Sequence, residues 1–541
     1  MTKFKSVILF FVMVFTLQSI QVFGQLRGAK PSEFDRALNK YATLMYYITT
    51  SYVDSTNIKD LVDKAVVSTL SSLDPHSTYI SKEDYDAMNE PLQGNFNGIG
   101  IEFNILNDTL NVISPVVGGP SERVGILAGD RIIAVDGEKI AGVQLSNDKA
   151  YKLLRGPKGS KVNLSIYRKS SNSDLDFELI RDKIPINSVD AAYEVKPGLA
   201  YIKLARFAMT SMDEIKEAFA KFNEQPKALI LDLRGNSGGV LPTGIAVANQ
   251  FFDSDKLLVY TEGLKAPKMI ELSTGIGLFK TGKLIVLIDD GSASASEIVA
   301  GAVQDWDRGI LIGRRSFGKG LVQQQLPLND GSFIRLTIAR YHTPTGRVIQ
   351  RHYDNGSTEK YYADLYKRFS SGGEVFSTDN ITLPDSLKYQ TLKNGRTVYG
   401  GGGIMPDIFI PLDTSAYSKY SGQLGRKSIL NQFILNYMDN NRDKLKKQYK
   451  DFKDFNKRFT VTGDLFTQML EFAEKQGVKR NDADIAISGD DIRSVMKALI
   501  ARDLFSSTEY YQIINSERDN VYKKAIEVID KWDYYDKTVL H

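Results

Sequence analysis

Apolar positions recur along this chain in three rhythms, and the changes of rhythm divide it into regions. Over residues 31–93, Leu38, Tyr41, Leu44 and Met45 fall three to four apart and a second apolar set follows over 61–73. This spacing predicts two helices, the second stopped by Asp74-Pro75. Between residues 94 and 184 the rhythm shortens to strand-like runs broken by glycine (GIGIEF, TLNVISPV, RIIAVDG, KVNLSIYR, DFELIRD), with one helical stretch over 147–154. A compact, mostly β domain is expected there. From residue 185 to 412 strands and helices alternate. Residues 199–205 read as a strand, and 211–222 as a helix opened by a capping box between Ser211 and Glu214. The continuous apolar runs KALILDL (227–233) and LIVLI (284–288) suit strands covered on both faces, so this stretch predicts a layered α/β core. Residues 413–541 turn helical again. Ile429, Leu430, Phe433, Ile434, Tyr437 and Met438 form one stripe, and Ile492, Val495, Met496, Leu499 and Ile500 another, both read as packing surfaces.

Length and composition narrow the class. At 541 residues, several domains are expected, and 42% apolar with 25% charged residues is ordinary globular usage. A net charge of +4 is too small to argue for a nucleic-acid partner. With no cysteine, disulfides, thiolate nucleophiles and cysteine metal sites are excluded, and four histidines without an HExxH pattern offer little to a metal. The first residues have the layout of a secretory signal: a short basic segment (1–5), a 12-residue apolar run (6–17), and Val22-Phe23-Gly24 at the positions a signal peptidase reads. That run is short for a bilayer span, so cleavage after 24 and an exported, periplasmic product without a membrane span are expected; the alternative is an uncleaved anchor.

Three polar or glycine-rich loops follow predicted core strands, where open α/β sheets place their sites. They are DLRGNSGG (232–239), DDGSASASE (289–297) and GRRSFGKG (313–320). In the second, a buried strand ends and a helix begins among hydroxyls. A serine there lies at the positive end of the helix dipole, beside free N–H groups able to stabilise an oxyanion. Position does not choose among Ser292, Ser294 and Ser296, and capping alone would also explain serines there. The third loop approaches a phosphate-binding GxxxxGK[ST] pattern and fails it, because residue 320 is glycine. Lys319, if buried between its two glycines, would lose its proton more readily and could activate a serine; otherwise it is a surface lysine in a turn.

The stretches GSASASEIVAGAVQD, RRSFGKGLVQ, DLRGNSGG, RYHTPTGR and GGGIMPD, together with LDPHSTYIS and GIGIEF, resemble in order the carboxyl-terminal processing (tail-specific) protease family over residues 31–412. The resemblance implies a multidomain α/β serine protease core of the Clp protease/crotonase type, an inserted PDZ-like domain, and no cofactor or metal. It implies Ser294 as nucleophile, Lys319 as general base, and Gln323, four residues on and within reach if that segment begins a helix, orienting the lysine amine. The oxyanion hole would combine the N–H of Ala295 with one from Gly238 or Gly239. Asp305, three helical turns beyond Ser294, is a supporting group or a helix-end residue. His342 and His352 are the rivals for a Ser–His–Asp arrangement, and His342 reads as a packing or surface residue. In the PDZ-like domain, Gly98, Ile99, Gly100 and Ile101 resemble the loop that captures a terminal carboxylate, the next strand pairing with the peptide. Arg155 is implied as a regulatory tie between this domain and the core. The implied partners are proteins with exposed C-termini, an envelope adaptor, and further copies of the chain. An inactive PDZ scaffold of the cell envelope is the alternative, and a nucleotide hydrolase built on the third loop a more distant one.

Overall fold

The computed structural model describes residues 32–541 except 107, 117, 170, 355, 357, 371, 372, 378–380, 382 and 383. The signal segment expected at 1–24 therefore lies outside the described residues. The chain divides into two compact units, 1–70 and 71–541. The first contains helix Glu33–Ser51, opened by a capping box in which Ser32 and Asp35 satisfy each other's N–H groups, and most of helix Ile58–Ser71.

The second unit is built on a six-stranded sheet in the order Val189–Lys196, Leu199–Leu204, Ala228–Asp232, Lys283–Ile288, Ile310–Gly313, Ile408–Phe409. Only the first pair is antiparallel. The two apolar runs are its central strands. On one face, Leu229, Leu231, Val286 and Leu311 pack against Val247, Ile298, Val299 and Val303 from helices Leu241–Asn249 and Ala295–Asp305. The other face, with Tyr201, Ile230, Ile285, Leu287 and Ile312, is covered by Val521, Tyr522, Ala525, Val528 and Ile529 of helix Asn520–Asp530. The last helices thus return to cover this sheet, across the sequence boundary drawn at 413. Ile529→Ala is expected to lower unfolding free energy by about 2–3 kcal/mol, measured by urea denaturation.

Helix Ser211–Ala220 is present with a different cap. Ser211 Oγ accepts from the N–H of Ala208 (2.8 Å), while Glu214 accepts from Thr210 Oγ1 (2.8 Å) and from the N–H groups of Ser188 and Val189. The expected Ser211–Glu214 box is replaced because both groups satisfy the neighbouring strand connection instead.

A second sheet orders Thr78–Ile80, Phe333–His342, Leu257–Glu262 and Met269–Leu272, with Leu321–Pro327 also paired to Phe333–His342. Gln323 therefore lies on a strand, correcting the helix expected after Lys319. The inserted domain has its own six-stranded sheet, with Ile101–Leu106 at an edge, and helix Asn147–Leu154 closes its core through Ala150 and Leu154. Strands Asn95–Gly98 and Asp182–Pro185 pair antiparallel, so this domain leaves and rejoins the core through one neck. In the C-terminal region both predicted stripes end in one core, where Phe433 and Met438 meet Met496 and Ile500. Among the described residues no helix is long and apolar enough to cross a membrane.

Candidate active site

Helix Ala295–Asp305 starts where strand Lys283–Ile288 ends, and the turn between them puts Ser294 at φ +56°, ψ −114°. Few residues other than glycine adopt this conformation, and it persists only where surroundings hold it. The Ser294 N–H donates to Glu297 Oε2 (2.8 Å) and its carbonyl accepts from Tyr341 Oη (3.0 Å). The DLRGNSGG loop packs directly on this turn: a Cβ at Gly238 would lie 2.7 Å from the Ser294 Cβ, and one at Gly239 would lie 2.1 Å from the Phe207 carbonyl oxygen. Only glycines permit that approach.

The three serines separate clearly. Ser292 Oγ donates to the Leu233 carbonyl (2.9 Å) and accepts from the Asp289 N–H, and Ser296 Oγ donates to the Asn236 carbonyl (2.8 Å); both are fully buried. They pin the serine loop to the glycine loop. Ser294 instead lines a cleft of about 1290 Å³ together with Lys319, Gln323, Gly238, Gly239 and Arg335.

Lys319 Nζ donates to Gln323 Oε1 (2.9 Å), and Gln323 Nε2 donates to the His76 carbonyl (2.7 Å). Tying the amide nitrogen to a carbonyl leaves its oxygen facing the lysine. The contact is made from strand Leu321–Pro327, whose pairing with Phe333–His342 shifts register between Val322 and Gln323. Burial holds the Lys319 amine below its ordinary value of 10.5, and the Arg335 charge adds to this against the opposing Glu297 and Asp74 carboxylates.

Glu297, not singled out from the sequence, joins the two loops. Its Oε2 accepts from the N–H groups of Ser294 and Lys319 (both 2.8 Å), its Oε1 from the Gly318 N–H (2.8 Å) and Ser316 Oγ (2.5 Å). It is fully buried, and burial pushes its carboxyl up to about 7. The signal for it was present: Ser294-x-x-Glu297 is a capping-box pattern. Asp232 is the corresponding anchor of the glycine loop, buried against Arg234 (2.6 Å) and Tyr201 Oη (2.7 Å), with Arg234 also paired to Asp519 (2.6 Å).

Other expectations resolve individually. Gly238 donates its N–H to Asn236 Oδ1 (2.9 Å). Asp305 accepts from Thr345 (2.9 Å to its N–H, 2.8 Å to its Oγ1) and pairs with buried Arg347, so it braces the 340–347 turn and is not among the residues lining the cleft. His342 stacks on Tyr260 at 4.4 Å, and His352 is exposed beside Asp354; neither lines the cleft. The histidine that does is His76, whose ring contacts Tyr361 Oη (3.0 Å) and is held neutral, down at about 4, by burial and the Lys319 charge.

In the inserted domain, Gly98 ends the neck strand, Ile99 is buried, and Gly100 takes φ +73° before Ile101 opens the edge strand. The carbonyls of Ile99 and Gly100 accept from Ser121 and Val116 within the domain. Arg155 pairs with Glu90 of helix Lys82–Gln93 (2.5 Å) and stacks on Phe96 and Tyr151, joining the domain's helix to the core.

Comparison with known proteins agrees with this architecture. The sequence model of peptidase family S41 matches residues 198–358, that of the PDZ domain 97–179, and that of a family of unknown function 420–506. The chain is 35% identical to the carboxy-terminal-processing protease of Bartonella bacilliformis over 353 residues, covering 64% of this chain and 80% of that one. It is 32% identical to the carboxy-terminal processing protease CtpB of Bacillus subtilis over 324 residues, covering 59% and 67%. A solved photosystem II D1 C-terminal processing protease matches at 31% identity over 57% of this chain and 83% of its own, with a TM-score of 0.34. With the S41 core, the PDZ insertion and relatives matched over most of their length, the chain belongs to the carboxy-terminal-processing proteases, serine peptidases of family S41.

Proposed function

We propose that this protein is an exported, periplasmic serine endopeptidase that cleaves proteins near their C-termini through a Ser294–Lys319 dyad, with substrate tails held by the PDZ domain. The observation supporting this most is the meeting, in one cleft, of a serine at a positive-φ helix start and a half-buried lysine already hydrogen-bonded to an amide. Neutral Lys319 accepts the Ser294 proton as Oγ attacks the scissile carbonyl carbon; the resulting ammonium returns that proton to the departing amine, leaving an acyl-enzyme. Water then enters by the same route: Lys319 takes its proton, hydroxide adds to the acyl carbon, and the ammonium returns that proton to the departing Ser294 Oγ, restoring the alcohol and the neutral amine. Gln323 fixes the amine's direction throughout. The oxyanion is received by the N–H groups of Ala295 and Gly239, since that of Gly238 is engaged with Asn236. Export rests on the signal-like segment at 1–24.

The terminal carboxylate docks on the N–H groups of Ile99 and Gly100, between Gly98 and Ile101, by charge-assisted bonds. Arg155 gives this event a route to the cleft, because its partner Glu90 is on the helix whose Asn89, Pro91 and Leu92 line it. Unfolded β-casein should be degraded by the protein lacking residues 1–24. A peptide ending in an apolar residue should bind the full chain about tenfold or more tightly with a free carboxylate than as its amide. Absence of cleavage under every condition, with tail binding retained, would point to the inactive scaffold instead.

A further inference from the structure

The PDZ peptide groove does not open onto free solvent along its whole length. Helix Ile429–Gln448 of the C-terminal region is docked on the PDZ domain: Asp439 approaches Arg131 (3.9 Å), Asn440 accepts from Lys169 (3.0 Å), and Gly129 packs so closely on Asp439 that a Cβ there would lie 2.8 Å from its Oδ1. Beside this contact is a cavity of about 620 Å³ with walls from both parts. That volume lies in the usual range of ligand clefts, roughly 300–1,000 Å³.

The PDZ wall is formed by residues 102–105 of the edge strand and by the facing helix Asn147–Leu154, including Tyr151. Gly98 to Ile101 are not among its lining residues. The cavity therefore starts just past the carboxylate loop. A tail anchored at Ile99 and Gly100 and paired antiparallel with Ile101–Leu106 advances about 3.4 Å per residue, which brings the residues some two to five positions before its terminus into this space.

The opposite wall contributes Arg426, Lys427 and Arg502. Lys427 donates its ammonium to the carbonyls of Gln476 and Gly477, Arg502 donates to the neutral Asn431 (3.3 Å) while its charge also acts on the neighbouring Asp503, and neither Arg426 nor Arg502 forms an ion pair with a described residue. Two acidic residues line the cavity: Asp503, paired with Arg442 and beside Arg502, and Glu102 on the PDZ wall, so two arginines and a lysine face two carboxylates of which one is already paired. On the PDZ side, Asn104 Oδ1 is buried without a hydrogen-bond partner. A buried acceptor with no donor is a rarity in folded proteins, and a peptide N–H alongside the edge strand would supply one.

We infer that the C-terminal helical domain and the PDZ domain together form a composite tail-binding channel, in which Arg426 and Arg502 select substrates carrying acidic residues shortly before the C-terminus. This rests on the reading of the PDZ loop as the terminal-carboxylate site. It gives residues 420–506 a role in specificity.

The test uses the full chain with Ser294→Ala and four fluorescent ten-residue peptides ending in the same apolar residue. Two have Asp or Glu at the third to fifth positions from the end and two have Gln there, each with a free and an amidated terminus. The acidic free peptide is expected to bind about three- to tenfold more tightly than the neutral one in low salt, as suits partly exposed ion pairs, and the difference should fade at 0.5 M salt. Arg426→Gln with Arg502→Gln should erase that preference while leaving the neutral peptide's affinity and the thermal midpoint unchanged. Equal binding of acidic and neutral free peptides, or a preference that survives the double substitution, overturns the inference. If amidation weakens binding but acidity has no effect, only this inference falls. If acidity matters and amidation does not, the carboxylate anchor that sets the register is absent, and the inference falls together with the reading it rests on. No binding by any peptide overturns both.

Discussion

Ser294→Ala and Lys319→Ala are each expected to lower the rate of proteolysis by about 10⁴- to 10⁶-fold, because members of a nucleophile–base unit fail together when either is removed. Both side chains line the cleft rather than bracing the fold, so the thermal midpoint should stay close to the parent's. The neighbouring serines should behave in the opposite way. Ser292→Ala and Ser296→Ala each remove a buried hydroxyl that pins the loop, costing about 1–3 kcal/mol of stability while the chemistry survives. A folded but inactive Ser296→Ala would show that the nucleophile has been misassigned. The pH profile gives an independent reading. Since burial and Arg335 hold the Lys319 amine below 10.5, the neutral form that accepts a proton gains population as pH rises, and kcat/KM should climb along that ionisation. Lys319→Arg, charged at every accessible pH, should stay inactive throughout. A rate that followed a group near 6.5 and vanished in His342→Ala or His352→Ala would replace the dyad with a histidine mechanism.

Glu297→Gln should lower kcat by at least a hundredfold with little change in KM, because it loosens the clamp on both loops of the proposed dyad without touching the proposed tail site. All four partners of Glu297 are donors, three backbone N–H groups and the Ser316 hydroxyl. A glutamine can turn its oxygen to only one pair, leaving the other pair facing its own amide protons. Charge-assisted bonds of about 1.5–3 kcal/mol each make the loss of two costly. Stability should then separate from activity as pH changes. With its folded value near 7 against 4.5 for a free side chain, Glu297 keeps a proton in the folded chain that the unfolded chain releases between those limits. The parent therefore loses about 3 kcal/mol of this contribution as pH rises from 4.5 to 7, while activity rises as the carboxylate forms and all four donors are satisfied. Glu297→Gln lacks the titration, so the stability gap between parent and variant should be widest near pH 5 and narrow toward pH 8. A gap independent of pH, measured by urea denaturation, would mean that Glu297 is ionised across the whole range.

Much of this architecture was legible because it is written in local periodicity. Runs such as KALILDL and LIVLI are apolar at every position, and only a strand covered on both faces can bury them, so the layered core followed from the pattern alone. The 147–154 helix and the two C-terminal stripes were equally local, since a 3.6-residue repeat requires nothing beyond the segment itself. Loops at strand ends stood out as candidate sites, and family resemblance, not spacing, put Ser294 forward from three serines.

What escaped was decided by contacts between segments far apart in the chain. Ser292 and Ser296 became structural only when the glycine loop packed on them, and Gln323 meets Lys319 from a strand paired to Phe333–His342, a partner far along the chain. Arg335 and Asp74 act on the charge of the amine from 16 to more than 200 residues away in sequence, and the His76 carbonyl holds the Gln323 amide that faces it. Helix Asn520–Asp530 carries an amphipathic pattern like any other, and nothing in it says which sheet it will cover. Periodicity shows that a face must be buried; its partner is chosen by the tertiary fold, because the burial free energy depends on area and not on which apolar surface supplies it.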